Sequence, residues 1–236
     1  SWDGQLTDDA RLVTAIARTA AAHGARILTR TRALSLSGSG ARVRDELTGE
    51  ELLIRARTVI NATGVWAGGL VDDIRLRPSR GTHLVLRSED LGSLTAGMHI
   101  PIPGEKNRFV LVLPQGDGRV YVGLTDEPVD GDIPDVPEVP ETDIGFLLDV
   151  LGSALDVTVT RDDVVGAFAG LRPLLDTTSD SARTADISRK HAVLTSPDGV
   201  VTVVGGKLTT YRRMAQDAVD AAVSVRNLAA GPSRTT

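Results

Sequence analysis

The sequence predicts a mixed α/β (α+β) protein in which an α/β unit of the dinucleotide-binding type is interrupted by an antiparallel sheet. Three features support this prediction. The β-branched run 200–204 is too short for a helix, is apolar on both faces, and leads through Gly205-Gly206 into a helical pattern. A second short apolar run, 58–61, ends in a turn of small residues. Between these runs, from residue 80 onward, apolar and polar residues alternate as in antiparallel strands.

The composition narrows the classes of function. With 236 residues, 41% of them hydrophobic, the chain can bury the core of one large domain or two small ones. A net charge of −5 argues against nucleic acid as a partner. The absence of cysteine excludes disulfides, thiolate catalysis and Cys-ligated metal sites, and it fits a reducing compartment. The four histidines lack metal-ligand spacing, so no metal site is predicted, and no apolar run approaches the ~20 residues of a membrane-spanning helix.

The amino-terminal part reads as one helix followed by short strands. Thr7 is predicted to cap the helix, because Asp8 and Asp9 follow it where the helix dipole favours acids, and Gly24 is predicted to end it. Strands are then predicted at 25–29, 33–37, 41–47, 51–56 and 58–61, with Thr48-Gly49 as a hairpin turn.

The central and carboxyl-terminal parts add further strands and two helices. The predicted strands are 83–87, 98–103, 109–113, 119–124, 164–171, 187–195 and 200–204. Residues 127–140 carry four prolines and five acids and are predicted to form a solvated loop. A helix with Thr142 as its cap is predicted at 141–155, and another is predicted to start at Thr209 or Thr210.

These elements predict an interrupted architecture. Residues 1–78 and 180–230 form the dinucleotide-type part, 79–179 form an inserted substrate-type domain, and 231–236 form a disordered tail. The chain starts at Ser1-Trp2 without an initiator methionine and runs straight into a helix. We therefore expect it to be a piece of a longer protein.

The strand–Gly-Gly–helix junction is the first candidate binding site. Gly205 and Gly206 permit a sharp turn, and the first N–H groups of a helix, together with its dipole, favour anionic or carbonyl groups of a ligand. Lys207 adds a mobile charge. Taken alone, so short a motif is more often a tight turn with a solvated lysine.

Two further side chains carry chemistry that a small anionic substrate needs. Arg172 is predicted at a strand end, where Pro173 fixes its backbone and a guanidinium can bind a phosphate through two hydrogen bonds. His83 is predicted at a strand start and can exchange a proton near neutral pH. Taken by itself, an arginine in this position is more often a surface residue or part of a structural ion pair, and a lone histidine entering a sheet is more often structural.

Seven separated motifs then coincide in order along nearly the whole chain. They are Trp2-Asp3-Gly4-Gln5, Thr29-Arg30-Thr31-Arg32-Ala33, Asn61-Ala62-Thr63-Gly64-Val65-Trp66, Arg80-Gly81-Thr82-His83, Gly123-Leu124-Thr125-Asp126, Gly170-Leu171-Arg172-Pro173-Leu174 and Gly205-Gly206-Lys207-Leu208-Thr209-Thr210-Tyr211. Together they resemble the FAD-dependent, respiratory glycerol-3-phosphate dehydrogenases of the D-amino-acid-oxidase-like class. Each motif is weak alone, and the ordered set is specific.

The resemblance implies FAD as cofactor and oxidation of sn-glycerol 3-phosphate to dihydroxyacetone phosphate, with electrons passed to a quinone. It also implies a cytoplasmic enzyme attached peripherally to the cytoplasmic membrane, and it allows a homodimer. The amino-terminal Gly-rich segment and the carboxyl-terminal helical domain of the family are missing from this sequence. The fragment is therefore expected to be inactive by itself.

The resemblance also assigns roles to individual residues. It implies His83, Arg172 and Lys207 as catalytic and substrate-binding residues. The implied cofactor-binding residues are Arg32, Ala62, Thr63, Gly64, Trp66, Gly205, Gly206, Lys207, Leu208 and Thr209. Asp126 follows a strand, and a turn-capping role is at least as consistent with this position as a role in the site.

Two rival functions stay open at this level. One is a related flavoprotein oxidase that acts on another small substrate with oxygen as acceptor, since Gly-Leu-Arg-Pro is common to the wider class. The other is a non-catalytic module that has lost FAD. Which of Arg172, His83 and Lys207 takes the substrate proton is also open.

Overall fold

The computed structural model describes residues 8–176, 190–231 and 233. These contain three α-helices, α1 (Asp9–Ala22), α2 (Glu141–Gly152) and α3 (Tyr211–Val225). The strands are β1 (Thr31–Ser37), β2 (Gly40–Asp45), β3 (Glu51–Arg55), β4 (Val59–Asn61), β5 (Leu76–Arg87), β6 (Met98–Pro101), β7 (Phe109–Pro114), β8 (Arg119–Gly123), β9 (Glu127–Pro128), β10 (Gly166–Leu175), β11 (Ala192–Thr195) and β12 (Val200–Val204). The fold is thus of the predicted mixed class.

Helix α1 forms as predicted, but its cap and its apolar face differ from the prediction. Asp8 is the capping residue, its carboxylate accepting a hydrogen bond from the Arg11 amide at 2.8 Å, whereas Thr7 lies outside the described residues. The helix buries no side chain, and Val13 stays 55% exposed. Helical periodicity therefore predicted the element correctly, while its apolar face is at most half-buried by the described residues.

The strand predicted at 25–29 is wrong. These residues follow α1 as an irregular segment, and Ile27 and Leu28 are about half exposed. A strand needs a neighbour to satisfy its backbone N–H and C=O groups, and no described segment pairs with this one.

Two three-stranded sheets are built from residues 31–61 and 192–204, the parts of the chain predicted to be of the dinucleotide type. Strands β1, β2 and β3 form the predicted antiparallel meander. In the second sheet β12 runs parallel to β4, with Val200 opposite Val59, and antiparallel to β11. Three valines of β12 are at most 1% exposed, which confirms the buried strand that the β-branched run predicted. Of the strand predicted at 187–195, residues 187–189 lie outside the described part.

The large sheet has the order β10-β5-β8-β7-β6, and β9 pairs with β5 at Ser79 and Arg80. Helix α2 covers one face and builds the main core with it. The core side chains are Leu84, Leu86, Val110, Val112, Val120 and Val122 from the sheet and Ile144, Leu147 and Leu151 from α2, all at most 3% exposed. Burial of this much apolar surface accounts for the stability of the unit.

Strands β5 and β10 are longer than predicted, which corrects the placement of two site residues. They pair antiparallel over ten residues, and Pro173, expected to mark a strand end, lies opposite Pro78 inside the ladder. His83 and Arg172 therefore lie within strands and not at strand ends. The large sheet spans residues 76–175. The insertion of a separate domain at residues 79–179 stays a prediction.

Three smaller boundaries also differ. Thr142 lies inside α2, which Pro140 precedes without a side-chain cap. The predicted loop 127–140 is irregular except for β9. Of the tail 231–236 only Gly231 and Ser233 are described, and the Ser233 hydroxyl donates to Asp220 at 2.7 Å.

One buried carboxylate joins α2 to the large sheet. Asp143 accepts hydrogen bonds from Nε and Nη2 of Arg80, both at 3.1 Å, and from the hydroxyls of Thr82 at 2.6 Å and Thr125 at 3.1 Å. Burial alone raises the pKa of Asp143, but these hydrogen bonds and the Arg80 charge outweigh it and hold the pKa below its usual value. The carboxylate is therefore ionised and fully bonded.

We expect Asp143→Asn to lower the free energy of unfolding by about 3 kcal/mol, because it leaves the Arg80 charge without its partner. The depressed pKa means that Asp143 adds stability above its unfolded pKa of 3.8, and that this contribution disappears as pH falls through the lower folded value. Urea unfolding between pH 2 and 7 should show a weaker acid dependence for the variant. Glu141→Gln is the control, because Glu141 lies in the same helix as Asp143 but forms an exposed pair with Arg161, which is outside that helix. An equal effect of both substitutions would contradict the role of burial.

Candidate active site

The face of the large sheet opposite α2 carries the polar and aromatic side chains of the site. Successive side chains of a strand point to opposite faces, so Ser79 and His83 of β5 lie on the face that α2 does not cover. In the register, Arg172 of β10 lies opposite Ser79, and Phe168 lies opposite His83. The structure therefore brings Arg172 and His83 to one face, as the resemblance implied for a substrate site.

Arg172 is held in a defined position on this face. Its Nη1 donates to the Ser79 hydroxyl at 3.2 Å and to Asp126 Oδ1 at 3.4 Å, and its Nη2 donates to the Thr125 carbonyl at 3.0 Å. About 20% of the side chain is exposed. The guanidinium is thus oriented by the protein and still reaches the surface of the site.

His83 lies in an aromatic environment next to this charge. Its ring stacks on Phe168 with centroids 5.0 Å apart, and Tyr121 meets the Phe168 ring edge-on at 5.5 Å. Burial, and next the positive charge of Arg172, lower the pKa of His83 below its usual value, although Asp9 opposes this shift. At neutral pH the imidazole is therefore uncharged and able to accept a proton.

Two glycines leave room for these side chains. A Cβ atom on Gly81 would lie 2.2 Å from Nη2 of Arg172, and one on Gly123 would lie 2.4 Å from Cδ2 of His83. Gly81 of Arg-Gly-Thr-His therefore leaves room for the side chain of Arg172, and Gly123 of Gly-Leu-Thr-Asp leaves room for the ring of His83.

Three predicted cofactor residues line one cleft. Arg32, Thr63 and Trp66 border a cavity of about 790 Å³, together with Arg30, Thr31, Ala33, Leu34, Glu46, Val65, Gly69, Leu70, Asp132, Ile133 and Asp135. Its walls mix apolar side chains with a few polar groups, which suits a nucleotide-sized ligand. Trp66 is 43% exposed, so its ring is available for contact with such a ligand.

Arg32 is paired with two carboxylates, although 46% of its side chain is exposed. Its guanidinium contacts Asp135 at 2.9 Å and Glu46 at 3.5 Å, and the bond to Asp135 is the main cause that raises the pKa of Arg32. The contact ties β1 to the acidic loop and forms one wall of the cleft.

The Ala-Thr-Gly turn is shaped by the residue before it. Asn61 Oδ1 accepts hydrogen bonds from the Thr63 amide at 3.3 Å and hydroxyl at 2.7 Å, and Asn61 Nδ2 donates to the Ala67 carbonyl at 3.3 Å. Ala62 is exposed on this turn, and Gly64 takes a φ of 62°. Neither of these two residues borders the cleft.

The Gly-Gly-Lys turn has the predicted backbone. Gly205 and Gly206 both have a φ of 74°, in the left-handed region that favours glycine. Residues 208–210 then form a 3-10 turn that leads into α3, and the Thr210 hydroxyl donates to the Lys207 carbonyl at 2.9 Å. Lys207, Leu208 and Thr209 are exposed. Among the described residues, the amides of Leu208 and Thr209 have no acceptor, as expected for the start of a helical turn.

The structure does not bring Lys207 into contact with Arg172 or His83 in the part of the chain that it describes. The predicted residues therefore fall on the open sheet face, in the cleft and on the Gly-Gly-Lys turn, with Ala62 and Gly64 on the Ala-Thr-Gly turn beside the cleft residue Thr63. Ser79 was missed because the prediction started β5 at 83. Phe168 and Tyr121 lie in strands that were predicted, and what the sequence did not give for them was the register that sets β10 and β8 beside His83.

Two possible features are not seen in the described residues. They contain no group of histidines and carboxylates arranged to hold a metal ion. They also contain no helix of the length and hydrophobicity needed to cross a membrane.

The sequence matches the family described as FAD dependent oxidoreductase over residues 1–212. The chain belongs to this family. Within it, the chain is 54% identical to glycerol-3-phosphate dehydrogenase 1 of Mycobacterium tuberculosis and 40% identical to the human mitochondrial glycerol-3-phosphate dehydrogenase. These matches cover 100% and 99% of the chain but only 46% and 34% of the relatives, so the chain spans less than half of their length.

Solved structures agree with this family. A glycerol-3-phosphate dehydrogenase from Bacillus halodurans, complexed with FAD, superposes with a TM-score of 0.82 at 30% identity over 96% of this chain and 45% of that one. An L-α-glycerophosphate oxidase from Mycoplasma pneumoniae shares the fold, with a TM-score of 0.63 at 21% identity over 91% of this chain and 54% of that one. The resemblance to FAD-dependent glycerol-3-phosphate dehydrogenases is thereby confirmed.

We expect Arg172→Gln to raise the pKa of His83 toward its usual value of 6.5, because the substitution removes one of the two causes of the shift and leaves burial in place. Titration of the His83 ring protons by NMR measures it. Arg161→Gln, at an exposed arginine outside the open face, is the control. An unchanged pKa in the Arg172 variant would show that the two side chains are not electrostatically coupled.

Proposed function

We propose that this chain is the central part of an FAD-dependent dehydrogenase that oxidises sn-glycerol 3-phosphate to dihydroxyacetone phosphate. The observation that carries the proposal is the pairing of an oriented guanidinium, Arg172, with a neutral imidazole, His83, on one open sheet face. A phosphorylated alcohol needs a cation for its phosphate and an acceptor for its hydroxyl proton. The names of the relatives and their 54% and 40% identity support the same substrate.

The cofactor of this proposal is FAD. The cleft around Arg32, Thr63 and Trp66 has the size and mixed lining that a dinucleotide portion requires. The exposed amides of Leu208 and Thr209 are suited to carbonyl groups of a ring, and Gly205, Gly206, Ala62 and Gly64 let the backbone approach closely. Bound at these residues, FAD would supply the acceptor for the hydride that leaves C2 of the substrate.

The chain's own residues supply binding and proton transfer. Arg172, whose side chain is 20% exposed, binds the phosphate through its guanidinium. His83 accepts the proton of the C2 hydroxyl, because its lowered pKa keeps it neutral at pH 7, whereas Arg172 and Lys207 are cations. Lys207 lies on the exposed turn next to the Leu208 and Thr209 amides, where its charge is suited to anionic groups of ligand or cofactor.

Further parts of the proposal concern the longer protein. We propose a quinone as the electron acceptor, peripheral attachment to the cytoplasmic face of the membrane, and a homodimer as the assembly. We also propose that the chain alone is inactive. The family resemblance supports these points, and the matched relatives are more than twice as long as this chain.

The first test is the visible absorption of the gene product that contains this chain, purified and kept without oxygen. We expect a flavin spectrum that bleaches when glycerol 3-phosphate is added. A spectrum that stays unchanged with glycerol 3-phosphate and bleaches with an amine or amino acid would support a related oxidase. Rapid recovery of the band in air would support oxygen as the acceptor, and a protein without flavin would favour the non-catalytic module.

We expect His83→Gln in the same gene product to lower kcat/KM for glycerol 3-phosphate by about 10²–10⁴-fold, because it removes the proton acceptor. In the unmodified enzyme the rate should fall at acid pH with a midpoint below the usual histidine value of 6.5. His99→Gln is the matched control, since His99 lies on the edge strand β6, three strands away from His83 in the sheet, and contacts Phe109 edge-on. Equal rates for both variants would contradict the role of His83.

A further inference from the structure

We propose that Asp126 is the positioning residue of the phosphate site and that it acts by holding the guanidinium of Arg172 at the angle at which phosphate binds. The inference rests on the proposed function, because it takes Arg172 as the phosphate ligand. It goes further by assigning a role to a carboxylate that does not itself touch the substrate.

The contacts place Asp126 directly beside the guanidinium. Its Oδ1 atom accepts hydrogen bonds from Arg172 Nη1 at 3.4 Å and from the Ser79 hydroxyl, and Ser79 is itself bonded to the same Nη1 at 3.2 Å. Arg108 Nη2 approaches the other carboxylate oxygen at 4.0 Å. The three side chains Asp126, Ser79 and Arg172 therefore form a closed triangle of hydrogen bonds on the open face.

The three side chains of this triangle are largely shielded from water, which strengthens the hydrogen bonds between them. The Asp126 side chain is only 7% exposed, Ser79 is 0% exposed, and the Arg172 side chain is 20% exposed. A charge-assisted hydrogen bond that is shielded from water holds its partner more firmly than one on the surface. Gly81 lies beneath the guanidinium and lets it lie close to the strand. Arg172 thus has one supported orientation.

The Thr125–Asp126 turn is itself fixed from the core side. The Thr125 hydroxyl donates to buried Asp143 at 3.1 Å and accepts the Thr82 amide at 3.0 Å, while the Thr125 carbonyl accepts Nη2 of Arg172. Adjacent residues of one turn therefore hold both terminal nitrogens of the guanidinium. Such support of a binding group by neighbouring residues preserves the geometry that binding needs.

The test is a double-mutant cycle of Asp126→Asn and Arg172→Ala in the full-length flavoenzyme, with KM and kcat for glycerol 3-phosphate as readouts. In the otherwise unmodified enzyme, Asp126→Asn should raise KM by about tenfold and change kcat little, because it weakens binding of the phosphate and not proton transfer. In the Arg172→Ala background the same substitution should change KM by less than about twofold, since its target is gone. Glu141→Gln is the carboxylate-to-amide control.

Each other outcome decides a separate question. If Asp126→Asn raises KM by the same factor in both backgrounds, or leaves it unchanged, the positioning role is overturned while Arg172 keeps its own. If Arg172→Ala alone leaves KM unchanged, the phosphate assignment in the proposed function fails and this inference fails with it. If the Asp126 variant does not fold, Ser79→Ala replaces it in the same cycle. A KM increase that Asp126→Asn causes only when Arg172 is present supports the proposal. An increase by the same factor with and without Arg172 overturns it.

Discussion

The antiparallel pairing of β5 with β10 is the constraint on which the site depends. Ten residue pairs in register bring Arg172 opposite Ser79 and Phe168 opposite His83. Because side chains alternate between the faces of a strand, a shift of one residue would turn Arg172 toward α2 and an apolar residue toward the site. The Asp143 network and the apolar core under α2 fix which residues of β5 face inward, and the ten-residue pairing of β10 with β5 then sets the face on which Arg172 lies.

One face of the large sheet builds the core with α2, and the opposite face carries the candidate site. Its covered face is built from valines and leucines, and its open face carries a guanidinium, an imidazole and aromatic rings. The two faces meet at the Thr125–Asp126 turn, where one threonine hydroxyl bonds to the core carboxylate Asp143 and the neighbouring aspartate bonds to Arg172. Core packing therefore bears directly on the position of the candidate substrate-binding group.

The two main residues of the candidate site, Arg172 and His83, differ in charge at neutral pH. Burial, and next the charge of Arg172, lower the pKa of His83, so a charged guanidinium and a neutral imidazole lie side by side at neutral pH. Two glycines make this proximity possible, because a methyl group at either position would overlap the guanidinium or the imidazole. Charge and steric clearance thus act together on one small area of the sheet.

The sequence by itself determined the mixed fold class, the buried strand β12, the left-handed Gly205-Gly206 turn and most of the central strands, because these follow from local periodicity and backbone preference. Its ordered motifs also indicated the family. Tertiary structure decided the lengths of β5 and β10, since long-range pairing carried both strands through Pro78 and Pro173. It also decided the hydrogen-bond partners of Asp126, namely Ser79 and Arg172, which are 47 and 46 residues away in sequence. Local patterns specify which element a residue joins, whereas pairing between distant strands specifies which side chains meet.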